Sequence, residues 1–131
     1  MNLLLIVAAA LEGATGLALL LMPSVPVSLL LGAPLDTPAG LVAARIAGAA
    51  LVALAIACWQ ARNGEWGSPA TGVLEALLFY NFATAMVLVY AGIRLDLRGA
   101  LLWPAIVLHL CLDVWCVLNW WFTRRNLQGL K

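Results

Sequence analysis

MNLLLIVAAALEGATGLALLLMP, residues Met1 to Pro23, decides the fold, because read as a cleavable leader it leaves three membrane spans and read as a span it makes four. It lacks the basic opening of a leader, carries Glu12 at its centre and outlasts a leader's apolar run. A stretch of about 20 apolar residues crosses a bilayer core unaided. A first span is therefore expected from about Asn2 to Met22, ended by Pro23, whose ring removes the N–H and clashes with the preceding turn.

Working outward, residues 23–39 are apolar but broken by Pro26, Pro34, Pro38 and Gly32. The central run, Val27 to Leu31, is too short to cross, so this segment is expected to be interfacial or re-entrant. A second span is expected over residues 40–59. Gly40, Ala44 and Gly48 recur there at four-residue steps, a small-residue stripe that lets helix backbones approach and that could also serve a contact between chains. In the linker QARNGEWGSP, Ser68 before Pro69 reads as a helix start, with a capping side chain and then a proline at the first helical position. The third span follows over 69–93. RLDLRG, residues 94–99, makes a tight solvated turn into a fourth span over 100–122, and a short polar tail takes up 123–131. The expected class is all-α: residues 1–131 as a single transmembrane domain, an antiparallel four-helix bundle in the membrane.

Composition agrees. The chain is 65% hydrophobic and 10% charged, with a mean hydropathy of +1.03, whereas soluble domains are about a quarter charged. Seven basic residues against six acidic leave a net charge of +1, too little to recruit nucleic acid. Cys58, Cys111 and Cys116 sit inside apolar runs, where a small hydrophobic role is commoner than a disulfide. Trp59, Trp66, Trp103, Trp120 and Trp121 fall near expected span ends, as an aromatic belt requires. With four crossings both termini share a side with Arg62, Arg124, Arg125 and Lys131, against Arg94 and Arg98 opposite and Arg45 a little inside the second span. The balance favours cytoplasmic termini.

An ionisable group at the centre of a span costs about 2.5–3.5 kcal/mol on insertion scales, so each needs a partner or a wet cavity. Glu12, Arg45, Glu75, His109 and Asp113 are such groups. Glu12 lies near the middle of its span. His109 and Asp113, four residues apart, share a face of the fourth. Tyr80 and Asn81 occupy the middle of the third, with Thr84 one turn on, and Arg45 completes a central polar cluster if it reaches down from the other side. Glu75 lies near a span end, where its side chain reaches the interface. Glu12 admits two readings, a proton or cation site and a structural hydrogen bond. His109 with Asp113 is either a proton relay or an intrahelical pair; Cys116 extends that face into a weak metal pattern, and no metal is assigned. Arg45 reads best as counter-ion to Glu12 or to Asp36.

No nucleophile elbow, phosphate loop, CxxC pair or zinc-protease motif occurs, so no catalytic residue is assigned and no motif names a cofactor. Two functions remain: binding or transport of a small molecule, proton or ion through Glu12, Arg45, Tyr80, Asn81, His109 and Asp113, or a non-catalytic accessory or assembly subunit whose polar cluster specifies packing. The expected partners are the lipid bilayer and a homo-oligomer or larger membrane complex.

EGATGLALLLMP from Glu12 to Pro23, Gly32, and AARIAGAALVALAIACW from Ala43 to Trp59 resemble the first half of small four-span bacterial proteins of the DoxX-like group. The resemblance covers about half the chain. It implies a four-span architecture and a bacterial inner membrane, and says little of activity. The lone acid Glu12 and the RLDL turn at Arg94 to Leu97 are also similar to small multidrug resistance transporters, which would imply proton-for-cation exchange at Glu12. The broken segment after the first span, the charges in spans two and four, and a different third span set the chain apart from that family.

Overall fold

A computed structural model describes residues 2–65 and 67–128, the side chains of 123, 124 and 126–128 excepted. Trp66, Arg124 and Lys131, which entered the belt and the charge balance, lie outside the described side chains. Five helices follow in order: α1 (Asn2–Leu21), α2 (Ser24–Leu31), α3 (Pro38–Ala61), α4 (Pro69–Arg94) and α5 (Leu102–Gln128), with no strand among the described residues. Four are long and apolar enough to cross a membrane: α1, α3, α4 and the Leu102–Phe122 part of α5.

Their ends are set by local chemistry. The Thr37 side chain accepts a hydrogen bond from the Gly40 N–H at 3.1 Å, and Pro38 opens α3. Ser68 does the same for α4 through the Ala70 N–H at 3.3 Å, with Pro69 next. Each cap satisfies a donor that the first helical turn leaves unpaired. Gly32 ends α2 in the left-handed region, φ 69°, its N–H closing onto the Ser28 carbonyl at 2.8 Å.

Packing joins the helices as two pairs, α1 on α3 and α4 on α5. The first pair meets at bare backbone: a Cβ on Gly48 would stand 2.7 Å from the Gly16 carbonyl oxygen, and one on Gly16 would stand 2.8 Å from that of Gly48. Gly48 of the small-residue stripe thus packs inside the chain. Gly48 is buried against α1, which occupies the face expected to meet another chain, while Gly40 faces Leu35 and Thr37 of its own cap.

Two apolar clusters hold the pairs together. One gathers Leu4, Leu5 and Ala8 of α1, Cys58 of α3, Leu74 and Leu77 of α4, and Cys116 of α5. The other joins Leu88 of α4 to Leu102 and Ile106 of α5, with Leu30 and Leu31 of α2 packed on it. Helix α2 is clasped there by backbone, since the Leu101 N–H donates to the Leu29 carbonyl at 2.9 Å and Gly99 abuts the Leu29 and Leu30 carbonyls.

The outer surface is apolar: Phe79 is 74% exposed and Ile46 and Val87 are each 65% exposed. Water would drive such a surface to aggregate, whereas lipid accepts it. Trp59 and Trp121 are exposed near the ends of α3 and α5, each beneath an arginine, with Arg62 4.0 Å and Arg125 3.9 Å from the ring centres. An amphipathic ring beside a cation suits the headgroup boundary.

Candidate functional site

Between the two pairs lies a cleft of about 610 Å³, within the range of small-molecule sites. Its walls come from α1, α2, α4 and α5, with Leu51 from α3. The exposed lining residues, Ala14 and Thr15 on α1, Leu101 just before α5, and Pro104 and Leu108 on α5, form its mouth. The mouth exists because α1 and α5 barely touch.

Glu12 is 4% exposed and lines the cleft at mid-helix. The Tyr80 hydroxyl donates to its Oε2 at 3.2 Å. The Tyr80 ring stands edge-on to His109, with centres 5.8 Å apart and planes at 78°. Behind the wall, Asn81 is fully buried; its amide donates to the Leu77 carbonyl at 2.8 Å and its Oδ1 lies 2.7 Å from His109 Nδ1. Thus α1, α4 and α5 deliver a carboxyl, a phenol and an imidazole to one surface. Thr15 and Thr84 add hydroxyls toward α2. The Thr15 signal is in the chain, three residues after Glu12 and so on its face.

Other expected members stay away. Arg45 is exposed and forms no ion pair with Glu12 or Asp36; among the described residues the ion pair is Arg98 with Asp96, 2.7 Å apart in the exposed turn. Position along a helix fixes depth but not direction, and Arg45 points outward. His109 turns to Asn81 rather than to Asp113, which is half-buried outside the cleft. Among the described residues no three His, Cys, Asp or Glu side chains converge as metal ligands, so His109, Asp113 and Cys116 share a helix without making a centre. Glu75 is exposed near the start of α4.

Asp113 Oδ1 is buried without a hydrogen-bond partner. An unmet buried acceptor costs about 1–3 kcal/mol. Asp113→Leu is therefore expected to raise the thermal unfolding midpoint of the detergent-solubilised protein, by the equivalent of about 1–3 kcal/mol. A lowered midpoint would mean that Asp113 is held by a group outside this chain.

Comparison of the chain with protein-family models, with curated proteins and with solved structures found no match.

Proposed function

We propose that this chain is an integral membrane protein of four antiparallel spans that binds a small lipid-soluble molecule in the cleft between its two helix pairs. The start of α1 clusters with the end of α3 and the start of α4, while the end of α4 clusters with the start of α5, as alternating directions require. Helix α2 is the interfacial segment and caps one end of the cleft through Pro26 and Leu30. The basic residues counted in the sequence favour cytoplasmic termini in a bacterial inner membrane.

One observation carries the binding reading. Glu12 is buried at mid-span, bonded to a phenol and, among the described residues, to no cation, and it faces open volume. A carboxyl serving only to join helices would be enclosed by its partners, as Asn81 is. A carboxyl kept in an apolar cleft is costly and marks a site of use.

The test uses purified protein in lipid nanodiscs, melted with decanol, decylamine or decanoic acid. At least one compound is expected to raise the unfolding midpoint, a bound guest contributing about 2.7 kcal/mol at roughly a hundred times its Kd. Glu12→Gln keeps shape and an acceptor for Tyr80, so its own midpoint should hold within about 1 kcal/mol while the guest binds about tenfold more weakly. No response to any compound in the wild type sinks the reading. Equal responses in wild type and variant remove Glu12 from it.

A further inference from the structure

The hydrogen bonds behind the cleft wall determine which nitrogen of His109 the guest meets. The Asn81 amide nitrogen is committed to the Leu77 carbonyl, so its oxygen is the atom facing His109. That oxygen only accepts, and the 2.7 Å contact therefore requires the proton on Nδ1. The ring's partner is a neutral amide, and Glu12 bonds Tyr80 instead of the ring. In the neutral imidazole Nε2 is then a bare acceptor. With Nδ1 turned to Asn81, which takes no part in the lining, Nε2 is the ring nitrogen left for a guest.

Beside it the Tyr80 O–H is spent on Glu12 Oε2, which leaves the phenol oxygen's lone pairs. Thr84 hydrogen-bonds the Tyr80 hydroxyl, and Thr15 adds a second hydroxyl at the mouth. From Glu12 the cleft runs toward α2 past Ala18, Leu19 and Leu88. Seven residues of helix from Glu12 to Leu19 make that apolar length about 10 Å.

We infer that the occupant is a neutral apolar molecule headed by a hydroxyl, which enters from the bilayer between α1 and α5, donates its O–H to His109 Nε2 at mid-membrane and lays its apolar body toward α2. The inference rests on the cleft being a binding site. A hydroxyl supplies the donor that Nε2 lacks; an ammonium would too, but a charge at bilayer depth costs about 2.5–3.5 kcal/mol on the way in. A carboxylate has no proton to give Nε2 and carries the same cost of charge.

His109 is the chain's single histidine, so isotope-labelled histidine gives one pair of ring nitrogen signals. Nitrogen NMR of the wild type in nanodiscs is expected to show Nδ1 protonated and Nε2 bare. Decanol should move the Nε2 signal upfield while Nδ1 stays protonated, with decylamine and decanoic acid roughly tenfold weaker. Ala105→Phe fills the cleft and should abolish the decanol response without changing the tautomer. Protonation at Nε2 in the free protein overturns the inference, as does a response to decylamine or decanoic acid stronger than that to decanol, while the binding reading stands. If none of the three moves either signal or the melting midpoint, the binding reading itself falls.

Discussion

Gly48→Leu is expected to leave no folded protein. The contact it destroys is backbone against backbone: a Cβ on Gly48 would stand 2.7 Å from the Gly16 oxygen and 2.9 Å from both the Leu20 nitrogen and Leu19 Cβ. No rotamer relieves such a clash, since the atoms struck are fixed in α1. Even Gly48→Ala must part the helices, at about 1–3 kcal/mol. Leucine adds a branched side chain to an interface with no room for it. Gly72 of α4 supplies the control, because nothing lies within 4 Å of its added Cβ. Gly72→Ala should be neutral or stabilising by up to about 1 kcal/mol, as alanine is the better helix former. Unfolding in detergent followed by tryptophan fluorescence compares the three variants. A Gly48→Leu protein melting with the wild type would mean that α1 and α3 do not cross at these glycines.

Asn81→Leu is the second large effect, and it acts on stability and site together. Leucine keeps the branching though it is bulkier, and the His109 Nδ1–H loses its acceptor in an apolar wall, at about 1–3 kcal/mol. The ring also loses the bond that chooses its tautomer, so binding of decanol should weaken about tenfold or more. Removing both partners behaves differently from removing one, because no orphaned group is left. Asn81→Leu with His109→Phe should recover most of the stability and none of the binding. If the double variant is instead less stable than either single one, the pair is not the unit described here.

Much of the fold is legible because its signals are local. Runs of apolar residues long enough to span are read by counting, and Ser68 before Pro69 or Thr37 before Pro38 act within one helical turn. The clasp on α2 has no such signal: the Leu101–Leu29 bond joins backbone atoms, and any two residues would present the same groups. The site divides in the same way. A helix rises by a fixed step, so residue numbers give depth, and Glu12, Tyr80, Asn81 and His109 share one level. Which way each helix turns depends on its neighbours, and there Arg45 and Asp113 depart from the cluster. Arg45 is left exposed where α3 meets α1 through Gly48 and Val52. His109 meets Asn81 because α4 and α5 are packed partners, a pairing no spacing within one helix encodes.

One apolar cluster lies at the start of α1, and the other, beneath α2, lends the cleft Leu30 and Leu88 as its far wall. On the proposed reading the two make the chain a pouch and not a conduit. An occupant would leave by the doorway it came through, on the same flank of the protein. Such a pouch would exchange its contents with the surrounding oil phase and keep the two watery compartments apart.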